Sequence, residues 1–387
     1  MIVKDEAHVI ARCLASVRPF IHSWVIVDTG STDTTEEVIR RELAGIPGEL
    51  HHRPWRDFGH NRTEAIELAR GKADYLLIMD ADEVMEVPPG YRLPPLTSDQ
   101  YMVLHRHRSA PDTSWELGTL VKSALPFFYE GVLHEYIRCR QSHSVESLHG
   151  PVVWGHFDSA RNREPLAKYR RDAEVLERAL ESEPDNARYV FYLAQSYRDS
   201  EQFELAAAAY ERRAKLGGFA EEAYFSLLQV GAIGTRLGWD FPRVLDAYLR
   251  AYQLRPTRAE SLCAIAVHYR GTSEWALAEL FAGAAAVIPR PKDCLFVDDS
   301  VYAWRSLDEL AIAAYYLGKN AEALALNQRL LAENVLPEHE RARIVANLGF
   351  AERAIAASAA SAASAAPAVA ETPKGKPKGK PKRKRKR

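Results

Sequence analysis

The sequence predicts an α/β domain followed by an all-α helical-repeat domain. Three observations carry this. Short apolar runs ending in acidic turn clusters fill the first hundred residues. A helical pattern with recurring small residues follows for nearly two hundred more. The chain then ends in an Ala/Ser-rich and Lys/Arg-rich stretch that cannot bury a core. The expected divisions are 1–160, 161–355 and 356–387, in keeping with a length too great for one small core.

In chain order, Trp24–Val27 reads as a buried strand, closed by the turn cluster Asp28-Thr29-Gly30-Ser31-Thr32-Asp33. Thr34–Leu43 reads as a helix, Leu50–Pro54 as a short strand, and Asn61–Arg70 as a helix stopped by Gly71. Tyr75–Met79 is a second buried strand running into acids. Strands alternating with helices imply a mostly parallel, Rossmann-like sheet. Such sheets bind ligands beyond the carboxyl ends of their strands, where both acidic clusters stand. Residues 106–160 are less periodic and rich in His, Trp and Gly, with short strands expected near Val121 and Val152. The acceptor side of a site is expected there.

From about Glu164 the pattern is helical. Leu193-Ala194, Tyr197, Ala206 and Tyr210 recur as Leu310-Ala311, Tyr315, Ala323 and Asn327, and Ala266, Tyr269, Ala278 and Ala285 give another copy. Pro256 and Pro289 stand 33 residues apart, close to the period of a tetratricopeptide repeat. Small residues let paired helices approach, and aromatic residues fill the gaps between pairs. Three to four repeats are expected, irregular between Glu221 and Pro256 and interrupted by a loop at Arg290–Val301.

The net charge of −1 hides an asymmetry: the last fourteen residues hold seven lysines, three arginines and no acid, so residues 1–373 carry −11. No aromatic residue interleaves with the basic tail and no nucleic-acid fold precedes it, so no specific nucleic-acid partner is expected. Cys13, Cys139, Cys263 and Cys294 form no CxxC pair and read as reduced thiols, which favours the cytoplasm. No run of eighteen apolar residues marks a transmembrane segment, and no signal peptide is expected.

The strongest chemical signal is Asp80-Ala81-Asp82-Glu83, directly after a strand. Carboxylates at i and i+2 there can converge on one Mg²⁺ or Mn²⁺ ion, which takes its remaining oxygens from phosphates and water. The same spacing also suits a solvated helix N-cap; a matching cluster upstream changes that balance. Asp28 ends a buried strand, where its carboxylate can accept from a nucleoside. Ser31–Asp33 can cap the next helix.

Met1-Ile2-Val3-Lys4-Asp5-Glu6, Asp28-Thr29-Gly30-Ser31-Thr32-Asp33, Asn61-Arg62 and Asp80-Ala81-Asp82-Glu83 together resemble the family 2 glycosyltransferases of GT-A fold. Gly131-Val132-Leu133-His134-Glu135, Trp154-Gly155-His156-Phe157, Arg171-Asp172 and Phe191–Tyr197 are similar to the subgroup with tetratricopeptide repeats behind the catalytic domain, which includes the sublancin-type peptide S-glycosyltransferases. The resemblance spans roughly residues 1–350. Relative to that family the first strand looks shortened at Met1.

The resemblance implies a nucleotide-sugar donor, UDP-linked, and a divalent metal, Mn²⁺ or Mg²⁺. Glu6 and Asp28 are expected at the nucleoside, Asn61 and Arg62 near the base or diphosphate, and Asp80 at the ribose. Asp80 and Asp82, with His156 completing the shell, are the metal candidates. Glu135 is the expected general base of an inverting transfer, with His134 as its substitute. A thiol acceptor would need less help, its pKa of about 8.5 lying far below that of a hydroxyl. The acceptor is expected to be a peptide, a protein side chain or a glycan, held partly by the repeats. The rival reading is a non-catalytic repeat scaffold with a degenerate transferase domain. A nucleotidyltransferase is disfavoured, because no Gly-rich basic phosphate loop lies near Met1.

Overall fold

The fold is described from a computed structural model that covers residues 1–333 and 335–365. The first elements are β1 (Ile2–Val3), α1 (Ile10–Val17), β2 (Trp24–Asp28), α2 (Thr35–Glu42), β3 (Gly48–His52), α3 (Phe58–Ala69) and β4 (Tyr75–Leu77). Then come β5 (Glu83–Glu86), β6 (Gln100–His107), β7 (Ala110–Lys122), β8 (Phe127–Glu130), β9 (Tyr136–Cys139) and β10 (Val145–Gly155). Parallel pairing is confined to the sheet β1-β2-β3 and to β6 with β10. The rest of the five-stranded sheet β4-β7-β6-β10-β5 is antiparallel, as is the β8–β9 hairpin. The reason is connectivity. Helices α1 and α2 return the chain for parallel strands, whereas β6 and β7 are joined by a tight turn.

Helix α1 lies where the two sheets meet. Ile10, Cys13, Leu14 and Val17 are all buried, the spacing of an amphipathic stripe. Ile10 and Leu14 pack with Val3, Ile26, Val38 and Ile39, while Cys13 and Val17 pack with Met79, Met85, Val103 and Val153. This packing holds the end of β2, at Asp28, and the chain after β4, at Asp80, as fixed points of one scaffold.

After a short 3-10 turn at Ala160–Asn162 the chain is helical: α4 (Pro165–Ser182), α5 (Ala187–Asp199), α6 (Phe203–Lys215), α7 (Ala220–Arg236), α8 (Phe241–Leu254), α9 (Glu260–Gly271), α10 (Trp275–Ala286), α11 (Ser306–Tyr316), α12 (Asn320–Ala332) and α13 (Glu338–Ala365). By compactness the chain divides into two units, Met1–Ala247 and a second beginning at Tyr248. The first thus contains the sheets and the first helix pairs.

Helical repetition is shown by the turns as well as the helices. Glu201, Gly238, Ser273 and Gly318 each adopt positive φ between paired helices. The next residue donates back five positions, as in Gln202 N–H to Tyr197 O at 2.8 Å and Glu274 N–H to Tyr269 O at 2.9 Å. Ala194, Ala206, Ala266, Ala278, Ala311 and Ala323 are at most 1 % exposed, the expected close-approach positions. The loop expected near Arg290 is present. Arg255 and Arg258 grip it through Asp293, and Arg258 also donates to the carbonyls of Leu295 and Phe296. Helix α13 runs on to Ala365, past the expected start of an unstructured tail at 356, because alanine has the strongest helix propensity. The remaining tail, including Lys374–Arg387, lies outside the described residues. Among the described residues no helix is long and apolar enough to cross a membrane.

Candidate active site

Strand β2 delivers Asp28 into a closed turn, 1 % exposed. Its Oδ1 accepts from the amides of Gly30 at 2.7 Å and Ser31 at 2.6 Å. The turn needs glycine, since Gly30 has φ +110°. Asp28 Oδ2 is buried and has no hydrogen-bond partner. A buried carboxylate oxygen without a donor is costly, so this atom is placed for a ligand's N–H or O–H. The segment before α1 interlocks with this turn. The Asp5 and Glu6 amides donate to the Ser31 and Thr35 hydroxyls, and the Thr32 amide donates to Asp5 Oδ1. Asp33 accepts from the Thr35 amide at 2.9 Å just ahead of α2, whose N-cap residue, Thr34, makes no side-chain cap bond. Glu6 is buried, which pushes its carboxyl up to about 7.

Helix α3 starts with the Asp57 side chain accepting from the His60 amide. At Gly59 a Cβ would overlap the Gly131 carbonyl oxygen, so glycine there lets the 131–135 loop press onto α3. One turn on, Arg62 joins two acids. Its terminal nitrogens meet both Asp80 oxygens at 2.7 and 2.8 Å, and Nε lies 2.6 Å from Glu135 Oε1 without hydrogen-bond alignment. Burial acts to raise Asp80, but the guanidinium overrides it and holds the carboxyl below its ordinary value. Glu135, 11 % exposed, is raised, burial outweighing Arg62. Asn61 is fully buried, and its amide is spent on the preceding loop: Oδ1 accepts from the Arg56 amide and Nδ2 donates to the Pro54 carbonyl. Its observed role is therefore to shape the loop that carries the exposed Trp55.

Asp82 is raised by burial and by repulsion from Asp80, opposed by hydrogen bonds from Ser159. Its carbonyl accepts from the His156 amide at 3.2 Å, across the β5–β10 pairing. His156 Nε2 is buried without a partner, and burial, then Arg12, holds the ring toward its neutral form. Among the described residues no group of three or more His, Cys, Asp or Glu side chains is gathered for a metal ion. With both oxygens on Arg62, Asp80 has less to offer a cation than Asp82.

The segment after β10 is a feature that motif spacing did not reveal. Asp158 pairs with Arg12 and its carbonyl meets His8 Nε2 at 2.8 Å. Ser159 lies near Asp82, the Ala160 amide donates to Glu6 Oε2 at 3.2 Å, and Arg161 pairs with Asp172 while covering Phe58. This segment thus runs from the neighbourhood of Asp82 to Glu6. No sequence signal marks Ala160, which acts through its backbone amide.

His134 adopts φ +52°. Glu135 turns toward Arg62, whereas the His134 ring stacks on Tyr192 of α5 at 3.8 Å and 12°. Burial and the nearby Arg161, Arg188 and Lys168 lower its pKa, so the ring is neutral at pH 7. A cavity of about 480 Å³ lies behind Arg62. It is a mainly apolar gap lined by Trp24, Val25, Tyr75 and Leu77 between β2 and β4, and neither Asp28 nor Asp82 borders it.

Residues 1–97 match the model of glycosyl transferase family 2, and the N-terminal region carries that domain. Over 84 residues the chain is 42 % identical to a TPR repeat-containing protein of Synechococcus elongatus, covering 21 % of this chain and 19 % of that one. Over 85 residues it is 29 % identical to the SPbeta prophage-derived glycosyltransferase SunS of Bacillus subtilis, covering 22 % and 19 %. The matches thus span about a fifth of the length of these curated relatives. A tetratricopeptide repeat protein of Parabacteroides merdae is 17 % identical, with a TM-score of 0.36, over 52 % of this chain and 75 % of that one.

Proposed function

We propose that this protein is a glycosyltransferase that moves a hexose from a UDP-linked donor to a peptide or protein acceptor in the cytoplasm. The observation that carries the reading is that Glu6, held by the Ala160 amide, feels the charge of Asp82 and sits on the segment interlocked with the Asp28 turn. In this reading Asp28 Oδ2 is the free acceptor for the nucleoside, with Glu6 as a second contact. Arg62 holds Asp80 in its ionised form, so that Asp80 accepts from the ribose.

Two features fit a divalent cation: a carboxylate shifted toward protonation by burial and a like charge, and an orphaned imidazole nitrogen on a ring whose pKa is lowered. Asp82 and His156 Nε2 are the residues that would hold it, with Asp80 as a lesser ligand. When bound, the cation neutralises the departing diphosphate. Glu135, raised by burial and adjacent to Arg62, is the group suited to take the acceptor's proton. His134 is neutral and less basic, which makes it the weaker base.

The test is a thermal-shift and UDP-release panel with UDP-glucose, UDP-galactose and UDP-N-acetylglucosamine, each with Mn²⁺ or Mg²⁺. A stabilising donor that is slowly hydrolysed supports the assignment. If no donor raises the melting temperature or releases UDP, while the protein still captures a peptide partner, the chain is a scaffold instead.

A further inference from the structure

Arg188, the second residue of α5, is held by aromatic and backbone contacts and forms no salt bridge among the described residues. Its guanidinium lies over the Tyr136 and Tyr192 rings, 4.9 Å from each centroid. One terminal nitrogen donates to the His134 carbonyl at 2.8 Å, while Nε is buried without a partner. Among the described residues no carboxylate pairs with it. Glu130 feels the charge of Arg188 but is bonded by Arg138 at 2.6 Å and by the Tyr136 hydroxyl at 2.7 Å. Residues 1–373 carry −11 overall, so an unpaired arginine is not for want of acids in the chain.

Two aromatic rings and the His134 carbonyl hold the guanidinium, so less rotamer freedom remains to be lost when an anion docks on it. The local field has the same sign: Arg161, Arg188 and Lys168 all depress His134. Position assigns the anion. His134 and Glu135 are consecutive, Glu135 faces the Arg62–Asp80 pair, and His134 turns to Tyr192 and Arg188. The arginine therefore belongs to the flank of Glu135 away from the groups that would hold the donor.

We propose that Arg188, clamped between Tyr136 and Tyr192, is an acceptor subsite that receives a carboxylate side chain of a peptide, next to the residue to be glycosylated. This rests on the glycosyltransferase reading above. Recognition is by a planar, preorganised fork, a mode in which arginine and lysine are not equivalent.

The experiment uses the full chain and fluorescein-labelled peptides with a central serine or cysteine flanked by glutamate, glutamine or lysine. Binding is read by anisotropy, and transfer by mass spectrometry with the UDP-sugar that wild type hydrolyses. Glutamate-flanked peptides are expected to bind about tenfold more tightly than glutamine-flanked ones, with lysine-flanked ones weakest, and the preference shrinks as salt rises. Arg188→Gln should remove the glutamate-to-glutamine ratio, and Arg188→Lys should restore only part of it. That ratio within one variant is insensitive to a general loss of folded protein. Equal binding of all three peptides by wild type, or an unchanged ratio in Arg188→Gln, overturns the subsite. So does displacement of the glutamate peptide by UDP alone, which would make the anion the donor's diphosphate. If no UDP-sugar is hydrolysed but acidic peptides still bind through Arg188, the transferase reading fails and the subsite stands.

Discussion

Arg62 meets both carboxylate oxygens of Asp80, at 2.7 and 2.8 Å, while its Nε contacts Glu135. One cation therefore holds two acids from distant parts of the chain. Arg62→Ala leaves a half-buried carboxylate, Asp80, and a largely buried one, Glu135, unpaired. It is expected to destabilise the protein by about 3 kcal/mol, at the low end for a buried pair because Asp80 still reaches solvent. A urea melt followed by circular dichroism gives the value, and a change under 1 kcal/mol, the ordinary figure for a surface ion pair, means that the pair is structurally minor.

Asp82→Ala is expected to keep the fold and lower turnover by about a thousandfold, the scale of losing a charge-stabilising cation. Its far-ultraviolet spectrum and melting temperature should stay near wild type. Full activity in this variant removes the metal assignment.

Glu135→Gln should reduce kcat by about a hundredfold with little effect on donor KM. The loss should be larger for a serine acceptor than for a cysteine acceptor, whose thiol ionises more readily. An equal loss for both acceptors would show that Glu135 does not take the proton.

Glu6 gives a pH signature. Its folded value of about 7 lies above the ordinary 4.5, so the folded state binds a proton that the unfolded state has released. Stability from this group is full below about 4.5, is lost as pH rises through 7, and stays low above. Melting temperature against pH should therefore fall less steeply between 4.5 and 7 in Glu6→Gln than in wild type. Parallel curves would mean that Glu6 is not held protonated.

Gly59→Ala places a methyl against the Gly131 carbonyl. It should cost about 1–3 kcal/mol and displace Glu135, lowering turnover beyond what the loss of folded protein explains. Wild-type kcat in the folded fraction would separate this packing contact from catalysis.

Much of the frame was legible because local chemistry and global fold agree there. The run Trp24–Val27 falls within β2, the run Tyr75–Met79 contains β4, and the small residues Ala194, Ala266 and Ala311 lie buried where helices cross. The β6–β7 and β8–β9 pairs are local hairpins, but they were not foreseen in detail because residues 106–160 lack a clear periodicity. In the site, acids could be picked out by type, but Asn61 could not be told from a ligand group: an amide that serves its own loop has the same one-letter code as one that serves a nucleotide. Arg188 was missed because its meaning lies in an absent partner, and a missing counter-ion leaves no trace in spacing.

His134 and Glu135 share one peptide bond yet serve different neighbours, the first leaning on α5 and the second on α3. The two contacts are therefore one residue apart, and the stacking on Tyr192 and the carboxylate at Arg62 are positioned by the same short stretch of backbone.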